Sequence, residues 1–277
     1  MNSSYIIRPD DLKKDIDNYI IVDCRKKSEY VKGHIPNAIL LPIDYWLKED
    51  NEEGIARGTN IISKEAFEHL MTKMHISNSS QIVAYDDNEG RGATRFWTVA
   101  KYYGHKLVSV LDGGWNYWKY LNNNVTSSSN KLTDCTDAYI AEITDGYIIR
   151  LSEFIEKYNE YVFVDTRSQA EWSGRDIHNN PRNGHLPNSI HVEWSELLNN
   201  GEIKCFNSIG DIEKHLTSRG IHKDMPIITY CQAGIRSAHT AFLMKEAGYG
   251  NVKIYDASMQ EWARNAALRL EDESCAE

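Results

Sequence analysis

No stretch of this 277-residue chain approaches the ~18 consecutive apolar residues of a membrane-spanning helix. Basic residues are not in excess either: Lys and Arg number 31 against 40 Asp and Glu, a formal charge of −9. An acidic chain without a basic run is a poor partner for nucleic acid or anionic lipid. The first ten residues lack the cationic flank, apolar stretch and cleavage site of a secretory signal, so a cytoplasmic location is expected. Cysteine is scarce. Cys24, Cys135, Cys205, Cys231 and Cys275 are odd in number, widely spaced and free of any Cys-x-x-Cys pair. This pattern argues against a disulfide framework and against zinc, and leaves free thiols of which one or two at most would do chemistry. A dinucleotide loop is also missing, because Gly90-Arg-Gly-Ala lacks the third glycine of that fingerprint.

What the chain does have is 41% hydrophobic and 26% charged residues, and a length that suits two domains with a core each. The halves repeat one another. Ile-Val-Asp-Cys-Arg at 21–25 returns as Phe-Val-Asp-Thr-Arg at 163–167, and Gly-His-Ile-Pro-Asn at 33–37 as Gly-His-Leu-Pro-Asn at 184–188. Ile-Val-Ala-Tyr-Asp at 82–86 returns as Ile-Ile-Thr-Tyr-Cys at 227–231, and Asp112-Gly-Gly-Trp-Asn-Tyr-Trp as Asp256-Ala-Ser-Met-Gln-Glu-Trp. The offsets are 142, 151, 145 and 144 residues, so the second copy carries an insertion within 168–183. We assign domains to 1–121 and 139–277, with the polar stretch 122–138 as a linker. Short branched runs at Ile20–Val22, Ile82–Tyr85, Val108–Leu111, Val162–Val164, Ile227–Tyr230 and Val252–Tyr255 predict strands buried on both faces of a parallel sheet. Helices are predicted over Thr94–Tyr103 and Ser237–Ala247, each stopped by a glycine. The fold class is therefore α/β.

The copies disagree where it matters most. After matching strands, one places Asp86 and the other Cys231. Ligands of open α/β sheets bind beyond the carboxyl ends of strands, which is where Cys231 falls. The loop after it, Gln232-Ala233-Gly234-Ile235-Arg236-Ser237, leads into a helix. Converging backbone N–H groups, a glycine free to take positive φ, the helix dipole and the Arg236 cation would all favour thiolate over thiol. Cys231 is thus the candidate nucleophile. In the other copy, Asp86, Asp87 and Glu89 form an acidic cluster; a carboxylate there could cap the N–H groups and silence the loop.

These blocks together resemble the rhodanese superfamily: the Asp-x-Arg strand ends, the Gly-His-Ile/Leu-Pro turns, Cys231-x-x-Gly-x-Arg-Ser, and Asp-Gly-Gly-Trp with Glu-Trp. The chain is similar over nearly its whole length to tandem-domain sulfurtransferases whose first domain has lost its cysteine. That resemblance implies two rhodanese-like domains, each a mainly parallel sheet flanked by helices, and a persulfide on Cys231 that carries sulfur between small molecules. Thiosulfate, favoured here, and 3-mercaptopyruvate are the implied donors. Cyanide, a thiol or a thioredoxin-like protein would be the acceptor. Neither metal nor organic cofactor is implied. Residues 232–237 would cradle the persulfide. The family often has a donor-binding arginine at the position of Glu171, so Arg175 and Arg182 in the insertion are the candidates to supply that charge. Asp165 and Arg167 are candidates for a supporting role or for a structural ion pair. A binding-only domain and a cysteine phosphatase are the alternatives; the latter's cradle is Cys-x5-Arg, whereas four residues separate Cys231 from Arg236 here.

Other conspicuous residues read as structural. His34 and His185 are expected to be hydrogen-bonded turn residues, and His239 to point away from the thiol. Trp46, Trp115, Trp118 and Trp262 are expected to pack in cores.

Overall fold

The computed structural model describes residues 4–47, 61–128 and 137–272. Cys135, Cys275 and residues 129–136 of the expected linker lie outside the described residues. The chain divides into two compact units. Among described residues the first holds 4–47, 61–128, 137–145 and 199–206, and the second holds 146–198 and 207–272.

The two units have the same order of elements. The first runs β1 (Ile6–Ile7), α1 (Pro9–Lys14), β2 (Ile20–Asp23), α2 (Lys27–Tyr30), β3 (Ile39–Leu40), α3 (Lys64–Lys73), β4 (Ile82–Tyr85), α4 (Arg91–Tyr102), β5 (Val108–Leu111) and α5 (Gly114–Tyr120). The second runs β6 (Ile148–Ile149), α6 (Leu151–Glu156), β7 (Val162–Asp165), α7 (Gln169–Trp172), β8 (Ile190–His191), α8 (Ile209–Ser218), β9 (Ile227–Tyr230), α9 (Ile235–Glu246), β10 (Val252–Tyr255) and α10 (Ser258–Trp262). Each forms a five-stranded parallel sheet, ordered β1-β5-β4-β2-β3 and β6-β10-β9-β7-β8. All six predicted strands are present. The four two-residue strands were not legible, because two residues give no period to read.

The central strands β4 and β9 are buried at every position, as unbroken apolar runs in a parallel sheet require. Phe154, Phe163, Ile228, Tyr230, Tyr255, Met259 and Trp262 form a core in the second unit, and Leu12, Ile21, Val83, Tyr85, Leu111 and Trp118 form its counterpart in the first. Each such side chain contributes about 1.5–3 kcal/mol by leaving water. Trp46 is fully buried and donates from its indole to the Leu41 carbonyl.

The helices after β4 and β9 begin earlier than predicted, at Arg91 and Ile235. Their caps are Gly90 and Gly234, at φ 85° and 79°. The helical turn starts as soon as such a left-handed residue reverses the chain, so Ile235 and Arg236 already belong to α9. The insertion follows α7 and lies within residues 173–183.

Candidate active site

Cys231 stands immediately beyond β9 and is buried. Its loop is pinned from α10: Met259 N–H donates to the Cys231 carbonyl at 3.1 Å, and Gln260 N–H to the Gln232 carbonyl at 3.1 Å. Cys231 N–H donates to Ser258 Oγ at 3.2 Å, and that hydroxyl donates to the Tyr255 carbonyl at 2.8 Å. Burial by itself would push the thiol up. The Arg236 charge, the backbone N–H groups of Ser237 and Ala233, and more weakly the Ser237 hydroxyl outweigh it, so the thiol lies below its ordinary range. This is the electrostatic pattern of an activated thiol.

Arg236 is held by a partner on α7. Its Nη1 donates to Glu171 Oε2 at 2.6 Å and its Nη2 to Oε1 at 2.8 Å. Glu171 also accepts from Ser168 N–H at 3.1 Å and Ser168 Oγ at 2.9 Å, completing a capping box on α7. Burial would raise the Glu171 carboxyl, but Arg236 foremost and then Ser168 hold it down at about 2.

The insertion reaches the same loop. Asn180 and Gln232, both buried, exchange two amide hydrogen bonds of 3.0 and 2.8 Å. The two arginines expected to supply a donor-binding charge fare differently. Arg182 is committed to backbone carbonyls of Trp262, Ala263, Asn265 and Leu268 at 2.5–3.0 Å, which fastens the insertion to the segment after α10. Arg182 therefore has a structural task where a free cation was expected. Arg175 is exposed, with its Nε on Ser173 Oγ at 3.0 Å.

Asp165 and Arg167 form a buried bidentate pair, and Arg167 Nη2 also donates to the Gly184 carbonyl at 2.8 Å. Asp23 and Arg25 repeat this geometry, with the Gly33 carbonyl at 2.8 Å, in the unit that has no cysteine at the loop. The pair does not track the loop cysteine; it ties the strand end to the Gly-His turn. His34 and His185 bond through Nδ1 to the Tyr30 and Trp172 carbonyls, and His239 packs edge-on against Trp194.

Glu171 as the partner of Arg236, Ser258 and Asn180 were not identified from sequence. Ser168-x-x-Glu171 is a readable cap signature, and Ser258 stands where the repeat places Gly114; Asn180 has no counterpart to compare.

A fold with twin parallel sheets, one of them bearing a buried cysteine with a lowered thiol at a central strand's end, defines a class. Rhodanese-like domains match residues 8–121 and 150–265, and the chain belongs to the rhodanese family. It is similar to a putative thiosulfate sulfurtransferase of Saccharopolyspora erythraea, at 30% identity over 88% of this chain and 86% of that one. It is 29% identical to a thiosulfate sulfurtransferase of Corynebacterium glutamicum, over 87% and 81% of the two chains. Against the 3-mercaptopyruvate sulfurtransferase of Escherichia coli the identity is 25%, over 98% and 99%. Among solved structures, SseA from Escherichia coli, a 3-mercaptopyruvate sulfotransferase, superposes with TM-score 0.79 at 23% identity, over 92% and 99% of the chains. Wild-type EanB does so with TM-score 0.85 at 19% identity, over 97% and 69%. These two likenesses concern the fold. Among the described residues no helix is long and apolar enough to cross a membrane.

Proposed function

We propose that this protein is a sulfurtransferase that moves a sulfane sulfur from a small anionic donor, thiosulfate ahead of 3-mercaptopyruvate, to a thiophilic acceptor through a persulfide on Cys231. One observation carries the reading: a buried cysteine at a strand's end whose thiol is lowered by Arg236 and by the N–H groups of Ala233 and Ser237. The thiosulfate preference rests on what the relatives at 30% and 29% identity are called.

In the first half-reaction the Cys231 thiolate attacks the outer sulfur of thiosulfate. The donor's S–S bond breaks, sulfite leaves with the bonding pair, and Cys231 becomes a persulfide. With 3-mercaptopyruvate the C–S bond breaks instead, and the carbon takes the pair and a proton to become pyruvate. The N–H groups of residues 232–237 hold the charge on the terminal sulfur. In the second half-reaction cyanide or a thiolate, including that of a thioredoxin-like protein, attacks the terminal sulfur and leaves as thiocyanate or a persulfide. Cys231 returns as thiolate, and no outside oxidant or cofactor is needed.

Incubation with thiosulfate followed by intact-mass measurement tests this. The protein is expected to gain the mass of one sulfur, and Cys231→Ser is expected to gain none. Parallel kinetics with both donors rank them. A binding-only domain takes up no sulfur, and a phosphatase hydrolyses an aryl phosphate instead.

A further inference from the structure

Arg236 is the guanidinium whose charge acts on the Cys231 sulfur. The other arginines around the insertion are engaged elsewhere: Arg167 with Asp165 and the Gly184 carbonyl, Arg182 with four carbonyls, Arg175 at the surface beside Ser173. Arg236 itself faces a carboxylate. Glu171 meets both ends of its fork at 2.6 and 2.8 Å, and the Glu171 side chain is only 4% exposed, so water screens the pair weakly.

Around Cys231 an incoming anionic donor therefore meets the Arg236 cation, the carboxylate bound to it, and the nucleophile's own negative charge. We propose that Glu171 is the specificity-determining residue for donor charge: its carboxylate cancels the Arg236 cation beside Cys231 and so limits how far the site favours a doubly charged sulfur donor over a singly charged one. The inference rests on the sulfurtransferase reading for its substrates, but the charge balance it describes belongs to the cysteine whatever reacts there. Thiosulfate carries two negative charges and 3-mercaptopyruvate one, so the pair of donors reads the effect directly.

Glu171→Gln tests it. Glutamine keeps an acceptor for Ser168 N–H, so the cap on α7 is retained while the charge is removed. The ratio of kcat/KM for thiosulfate to that for 3-mercaptopyruvate is expected to rise about tenfold. Independently of sulfur transfer, the ratio of Cys231 alkylation by iodoacetate, an anion, to alkylation by neutral iodoacetamide is expected to rise about fivefold. The pH profile of iodoacetamide alkylation is expected to move to lower pH, since an anion near the thiolate has gone. Among the described residues, the charged groups around this thiol include Arg236, Glu171 and the Asp165–Arg167 pair, of which the substitution removes only the Glu171 charge.

A residue that merely braces the loop would slow both members of each pair alike, and unchanged ratios overturn the proposal. Ser168→Ala, which loosens the cap without altering charge, is expected to leave both ratios where they are; a matching rise in that variant also overturns it. Should Cys231 accept sulfur from neither donor, the functional reading fails on its own, and the alkylation ratio still decides the role of Glu171.

Discussion

The loops after β4 and β9 are the same device in two states. Both leave a buried strand ending in tyrosine, turn through a left-handed glycine and enter a twelve-residue helix. In the first, Asp86 puts its own carboxylate into the nest: Oδ1 accepts from Asn88 N–H at 2.8 Å and Gly90 N–H at 3.0 Å, and Oδ2 from Ala93 N–H at 2.8 Å. In the second, the N–H groups of Ala233 and Ser237 turn to a thiol. The first loop is one residue longer before its glycine, which gives the carboxylate room. Its helix places Gly92 where the other has Arg236, and a Cβ at Gly92 would lie 3.2 Å from Asp86 Oδ2. The strand-end partner differs too. Gly114, at φ 51°, packs so tightly that a Cβ would overlap the Asp86 carbonyl oxygen, whereas Ser258 at φ 54° has a side chain that accepts from Cys231 N–H. A nest with its anion built in is structural; the same nest around a charge that can react is a site. The neighbouring Cys24 makes the point within one unit: burial first, then the charges of Asp86 and Asp23, push its thiol far up.

This contrast can be broken at several points. Replacing Cys231 with serine should cut sulfur transfer by more than about a thousandfold, read by thiocyanate production, with no sulfur retained on the protein. Residual transfer near the wild-type rate would relocate the chemistry. Installing Asp86→Cys should not create a second reactive thiol, because no arginine follows at position 92; its alkylation at pH 7 is expected to be at least about tenfold slower than that of Cys231. Comparable rates would show that the amides alone suffice. Asp86→Ala strands three N–H groups and should cost about 2–4 kcal/mol, measured by urea unfolding, with part recovered on adding sulfate.

Two smaller effects sharpen the comparison. Glu171 is held near 2 by Arg236 and Ser168, against an ordinary value of 4.5. A carboxyl depressed in the folded state stabilises above its unfolded value and loses that contribution as pH falls through the folded one. Acid titration should therefore weaken the second unit between about pH 4.5 and 2, a loss that Glu171→Gln removes. Ser168→Ala should cost about 1 kcal/mol in thermal or urea melts, whereas substitutions at Lys26, which caps α2 with no side-chain bond, should cost little.

Much of this was legible because it is local or repeated. The apolar runs of β2, β4, β5, β7, β9 and β10 declare themselves by composition, and the duplication singled out Cys231 by the mismatch with Asp86. The capping of the first nest was anticipated from the same mismatch. Arg182 shows where such reading stops: a cation in an insertion reads as available, yet four carbonyls eighty or more residues away occupy it. Asn180 is illegible for the same reason, since its partner Gln232 is distant in the chain and the insertion has no copy to compare.

The sequence by itself determined the doubled α/β architecture, the position of the candidate nucleophile and the loop chemistry that lowers its thiol. Strand composition, turn glycines and a helix start act over a few residues, and so can be read along the chain. Only the tertiary structure decided which charges remain available, by pairing Arg236 with Glu171, Arg167 with Asp165, and Arg182 with the backbone after α10. Pairing of that kind depends on distance in space, and folding alone sets that distance.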